Sequence, residues 1–133
     1  MSLLNKKRTI EEVGSLVVTN GTPNNSVRFT PPAGFLGRVV VHFPPNLQDF
    51  NTGFIRCYLK DAAGLDIFKL QSIQSLRSRD VQFELDGKML NIDTQGRTFE
   101  FGVIATDNFA LDFSAEIIFI YDQEGQNAAN CNL

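Results

Sequence analysis

Ala110-Leu-Asp-Phe-Ser-Ala-Glu-Ile-Ile-Phe-Ile-Tyr121 decides the fold class. Leu111, Phe113, Ala115, Ile117, Phe119 and Tyr121 fall in phase at every second position. A period of two places these side chains on one face of a strand, whereas a helix would scatter them. From Ile117 to Tyr121 the residues are apolar on both parities, so the second face of this strand is expected to be covered as well.

Working back along the chain, the same period recurs. In TFEFGVIAT (98–106), Phe99, Phe101, Val103 and Ala105 share a face. In VQFELDGKMLNID (81–93), two short runs flank Asp86-Gly87, a pair suited to the positive φ angles of a type I′ hairpin turn. GSLVVT, SVRFT, LGRVVVHF, GFIRCYLK and LDIFKLQ read as further strands. Asn20-Gly21, Pro31-Pro32-Ala33-Gly34, Pro44-Pro45-Asn46 and Asp61-Ala62-Ala63-Gly64 separate them, and each can turn the chain. QSIQSLRSR (71–79) can hold one helical turn. Eight or nine antiparallel strands with essentially no helix predict a single-domain all-β sandwich of jelly-roll type.

The chain has 133 residues, which fits one domain. The spacing predicts a charged N-terminal arm at 1–12, a β-sandwich at 13–121 and a polar C-terminal tail at 122–133. Lys6, Lys7 and Arg8 make the arm locally basic. Apart from those three, nine basic residues face fifteen acidic ones, whereas the whole chain stands at −3. Such a balance argues against a general nucleic-acid binder, and the strand aromatics lie in phase with aliphatics, as core residues do. No apolar run is long enough for a membrane-spanning helix, and MSLLNKKRTIEEVG lacks the pattern of an export signal.

Catalytic residue sets are scarce. His42 is the one histidine, so the several-histidine metal site of enzymatic jelly rolls cannot form, and no nucleophile motif accompanies it. Most Asp residues fall in turns, and no D-x-D-x-D-G calcium loop is present. The expectation is a protein without enzyme activity, metal or cofactor. Cys57, in phase with Ile55 and Leu59, reads as a small buried hydrophobe, and with Cys131 in the tail both are expected as free thiols. Asn20-Gly21-Thr22 and Asn24-Asn25-Ser26 match the glycosylation pattern but read as turns. Twelve Phe, two Tyr and no Trp point to dry packing. Phe35, Phe50 and Phe109 each follow a turn-rich segment, where a ring either tucks beneath the loop or anchors a contact.

GFIRCYLKDAAGLDIF (53–68) and the closing strand ALDFSAEIIFIYD (110–122) resemble small jelly-roll structural proteins of bacteriophages, namely capsid decoration (cement) and penton proteins. In several of these a segment like Asn51–Ala62 precedes a short strand, a hairpin and an aliphatic-aromatic closing strand. The resemblance implies a non-enzymatic virion protein on the capsid surface, assembled in the host cytoplasm. It implies binding to a major capsid protein shell and a homo-oligomer: dimer, trimer or pentamer. On that reading Lys6, Lys7 and Arg8 supply charge contacts to the shell, and Phe50, Phe54 and Phe109 supply apolar ones. The alternative is a carbohydrate- or receptor-binding sandwich of a phage tail fibre. It predicts a concave face of polar and aromatic residues, usually Trp or Tyr. A cellular adaptor is a third reading.

Overall fold

A computed structural model describes residues 8–50, 52–77 and 88–122. Eight strands are found among them: β1 (Arg8–Val18), β2 (Asn24–Phe29), β3 (Phe35–His42), β4 (Ile55–Asp61), β5 (Asp66–Ser72), β6 (Lys88–Asp93), β7 (Phe99–Ala105) and β8 (Phe113–Asp122). Two single 3-10 turns, Leu47–Phe50 and Ile73–Leu76, complete the regular structure. The second is the helical turn expected within 71–79, and its hydroxyl cap is Ser72, which accepts from the Gln74 N–H. The strands form two antiparallel four-stranded sheets, ordered β1-β8-β3-β6 and β2-β7-β4-β5. Successive strands cross between the sheets except at the β4–β5 hairpin, which is the jelly-roll connectivity.

Three expectations change. β1 begins at Arg8, where it pairs with Asp122 of β8, so residues 8–12 belong to the sandwich and not to an arm. Val13 is therefore not the domain's first residue: pairing to β8 gives the backbone of 8–12 partners that a free arm would lack. Asp122 is likewise the last residue of β8 rather than the first of a tail. Leu111, although in phase with β8, lies before the strand and is 52% exposed. Lys6, Lys7, the Asp86-Gly87 turn with the run before it, Cys131 and residues 123–133 lie outside the described residues.

The two sheets close on aromatic rings. At one end Phe29, Phe99 and Phe119 meet with centroids 5.7–6.0 Å apart. At the other, Phe43, Phe50 and Phe109 surround Phe113 at 5.0–6.4 Å. Burying one such side chain stabilises by about 1.5–3 kcal/mol, and favourable ring geometry adds about 0.5–1.5 kcal/mol. Between the clusters lie Val39, Val41, Cys57, Leu59, Val103 and Ile117, all buried. Val40, Ile118 and Ile120 form a second buried cluster, on the opposite face of the β1-β8-β3-β6 sheet, as the two-sided apolar run predicts.

Polar side chains fix the corner opposite the Phe113 cluster. The Tyr121 hydroxyl donates to the Pro32 carbonyl at 2.7 Å. The buried Thr94 hydroxyl reaches the same carbonyl at 2.9 Å, and the Gly34 carbonyl at 3.1 Å. Burial pushes the Tyr121 phenol above its ordinary range.

Candidate functional site

Three connections gather at the Phe113 end of the sandwich: 19–23, 43–54 and 106–112. Their backbones are tied to one another across long stretches of sequence. Gly21 N–H donates to Phe109 O at 2.8 Å, and Phe109 N–H to Thr22 O at 2.9 Å. Ala110 N–H donates to Phe50 O, Asp107 N–H to Thr52 O, and Thr106 N–H to Phe54 O, at 2.9–3.0 Å. Asn20 N–H adds a bond to Asp112 Oδ1 at 2.8 Å. Loops bound in this way hold a fixed surface, because opening one breaks bonds to the next.

The three phenylalanines expected to supply apolar contacts divide. Phe50 is 7% exposed and Phe109 1%, and both pack on Phe113 beneath the loops. The expectation that they offer contact surface is therefore corrected. The 3-10 turn at Leu47–Phe50 directs the Phe50 ring inward, and the two bonds at the Phe109 backbone draw its ring under the loop. Phe54, in contrast, is 80% exposed, the most exposed large hydrophobic residue among those described. Its backbone is clamped all the same: its N–H donates to Thr106 Oγ1 at 3.3 Å, and its carbonyl accepts from Thr106 N–H. Gly53 precedes it at φ +75°, a left-handed conformation that a side chain would strain, and a Cβ there would lie 3.2 Å from the Thr106 Cβ. Phe35, the remaining loop candidate, is half-buried at the start of β3. The Arg8 backbone lies in β1, away from these loops.

Beside Phe54 a cleft of about 810 Å³ opens toward β5. Its walls include Leu47, Gln48, Thr52, Arg56, Ser72 and Gln74. Thr52 is 2% exposed, and its Oγ1 has no hydrogen-bond partner among the described residues. Arg56 is exposed, and no ion pair or hydrogen bond to its guanidinium occurs among the described residues. Sequence reasoning missed this cleft, because Thr52 and Arg56 lie in one segment and Ser72 in another, and nothing in the sequence marks them as neighbours.

The outer face of the β2-β7-β4-β5 sheet carries a second polar group. Glu100 accepts from the Tyr58 hydroxyl at 2.7 Å and lies 3.5 Å from Arg28 and 3.8 Å from Lys60. The Tyr58 bond, followed by the two cations, holds the Glu100 carboxyl below its ordinary value. Desolvation, reinforced by Glu100, pushes the Tyr58 phenol up to about 12. Both cations of this group thus share one carboxylate partner, Glu100. His42 stands at the surface of β3 with Nδ1 3.6 Å from Glu116 Oε2. Cys57 is fully buried, and burial pushes its thiol up to about 12. Among the described residues no group of three or more His, Cys, Asp and Glu gathers to hold a metal, and no helix is long and apolar enough to cross a membrane.

No protein-family model matches the chain, and no curated protein matches it. Among solved structures the chain is similar to one in the capsid asymmetric unit of cyanophage Pam1, with a TM-score of 0.48 and 16% identity over 88% of this chain and 85% of that one. It is also similar to part of dimeric latent PorU from Porphyromonas gingivalis, at a TM-score of 0.34 and 14% identity, where 88% of this chain spans 13% of the other. Both are distant likenesses, and the reading of the loop end rests on the chain's own geometry.

Proposed function

We propose that this chain is a non-enzymatic structural protein of a virus particle, a decoration or cement protein that binds and stabilises a shell of major capsid protein. The observation carrying this reading is Phe54, an almost fully exposed ring on a loop whose backbone is bonded in place. An exposed apolar ring costs solubility, so a rigid one at a loop end reads as a contact anchor. Leu111, half-exposed in the neighbouring 106–112 connection, extends the apolar area at the same end. The resemblance of 53–68 and 110–122 to phage decoration and penton proteins supports the same role. The protein would act as a homo-oligomer on the capsid surface, with Lys6, Lys7 and Arg8 adding charge contacts to the shell.

Co-sedimentation with empty shells of major capsid protein tests this, with light scattering of the free protein beside it. A closed oligomer that pellets with shells, and a Phe54→Ser variant that stays in the supernatant, are expected. A monomer indifferent to every shell offered would overturn the reading. Because β1 starts at Arg8, the basic segment is tested by deleting residues 1–7. Attachment should weaken with the melting temperature unchanged, and full attachment of the truncated protein would remove the arm from the reading.

A further inference from the structure

We infer that the cleft beside Phe54 is a binding site for a saccharide that carries a carboxylate. Among the described residues its walls hold Leu47 and Ile55, several neutral hydrogen-bonding side chains, one cation and one exposed aromatic ring, and no carboxylate. Such a set complements a polyhydroxylated ligand. Amide and hydroxyl groups such as Gln48, Thr52 and Ser72 both donate and accept, as vicinal hydroxyls require. The Phe54 ring offers its negative face to the C–H face of a pyranose. The volume, about 810 Å³, lies within the range of about 300–1,000 Å³ of small-molecule sites.

Two further observations point to a ligand. Thr52 Oγ1 is buried without a partner among the described residues, and buried hydroxyls are normally hydrogen-bonded. On the same sheet face Arg28 and Lys60 are spent on Glu100, whereas Arg56 has no carboxylate opposite it among the described residues. A guanidinium fork matches a carboxylate in two parallel hydrogen bonds, which favours an acidic sugar over a neutral one. A peptide adding to this wall as an extended strand would need free backbone groups. Those of Phe54 are already taken by Thr106, and the Thr52 carbonyl by Asp107. The alternative raised by the sequence, a glycan-binding sandwich, predicted a polar concave face with an aromatic residue. Here phenylalanine takes the place of Trp or Tyr.

The inference shares Phe54 with the shell-attachment reading but does not rest on it, and its test keeps the two apart. The intact protein is titrated by NMR with glucuronic acid, N-acetylneuraminic acid, glucose and galactose, and is applied to a glycan array containing sialylated, uronic and neutral glycans. Binding to at least one acidic class and weaker binding to neutral sugars is expected, and the responding arm identifies the acid. Arg56→Gln should weaken acidic-sugar binding about tenfold or more and erase the preference over neutral sugars. Thr52→Val should weaken binding while the melting temperature holds or rises, a combination that a merely structural role would not give. No saccharide binding at millimolar concentration, or equal binding of neutral and acidic sugars, would overturn the proposal. Co-sedimentation with shells lost in Arg56→Gln and Thr52→Val, without sugar binding, would overturn it too and leave the attachment reading standing.

Discussion

Tyr58 lays its ring across Gly102, its partner residue on the neighbouring strand, so closely that a Cβ at 102 would overlap the ring. The missing side chain lets the phenol lie flat along the sheet and reach Glu100 at 2.7 Å. Glycine is a poor strand residue, costing roughly 0.5–1 kcal/mol against alanine, so this position trades local propensity for the close approach.

Gly102→Ala should therefore destabilise the protein by about 1 kcal/mol, as Tyr58 swings off and its hydrogen bond is lost. In a Tyr58→Ala background the same substitution should become neutral or stabilising. Urea denaturation of the four proteins measures the cycle, and an unchanged penalty in the Tyr58→Ala background would show that the ring is not the obstacle.

Phe109→Ala should cost about 3–5 kcal/mol, because it removes a ring from the packed cluster around Phe113. Phe54→Ser should stay within about 0.5 kcal/mol of the parent, since its ring is exposed. Urea midpoints distinguish the two. A large loss in Phe54→Ser would mean that the exposed ring is structural after all.

Acid and alkali should act through different groups. The Glu100 and Asp61 carboxyls lie below their ordinary values of 4.5 and 3.8, Glu100 through Tyr58 first and Asp61 through the Leu65 N–H and then Arg97. Groups lowered in this way stabilise fully above the ordinary value, and that contribution is lost as pH falls through the folded one. Stability should thus be level near neutrality and fall below about pH 4.5, less steeply in Glu100→Gln. Tyr58 is raised from 10.0 to about 12, so its contribution is present below pH 10 and is lost as pH rises through 12. With two tyrosines and no tryptophan, ultraviolet titration reads the phenols cleanly. A tyrosinate signal from both residues near pH 10 in the folded protein would contradict the burial described.

Cys57 should be inert while the domain is folded, since a buried thiol pushed up to about 12 supplies almost no thiolate. In a Cys131→Ser variant, which leaves Cys57 the sole thiol, alkylation by iodoacetamide at mildly alkaline pH should follow the unfolded fraction through a urea titration. Rapid labelling in native buffer would show that the strand opens locally.

The sheets were legible and the loops were not, for a physical reason. Alternation in Phe99–Ala105 and Phe113–Tyr121 marks a buried face directly, because strand side chains point to opposite faces in turn. Phe50 and Phe109 look alike in sequence, each following a turn-rich segment, and Phe54 reads as part of the strand run GFIRCYLK, although β4 starts only at Ile55. Bonds from Gly21 to Phe109 and from Ala110 to Phe50 decide which ring goes inward, and these join residues 60 or more positions apart. No local pattern records them. The cleft was hidden for the same reason, with Arg56 and Ser72 set side by side by the pairing of β4 with β5. The boundary at Arg8 was missed because Lys6, Lys7 and Arg8 read as a solvated run, although Arg8 already pairs with Asp122.

The strand order has a consequence for how the molecule comes into being. β8 lies between β1 and β3, and β7 between β2 and β4, so one of the two central strands of each sheet is among the last to be synthesised. Until Phe113–Asp122 has left the ribosome, β1 and β3 have no common neighbour, and apolar faces such as Val39-Val40-Val41 wait uncovered. Sandwiches dominated by such distant pairings fold in milliseconds to seconds. A nascent chain stalled before β8 thus holds every strand of the β2-β7-β4-β5 sheet but leaves β1 and the β3–β6 pair apart with open edges, the form in which this sequence is most exposed to chaperones and to aggregation.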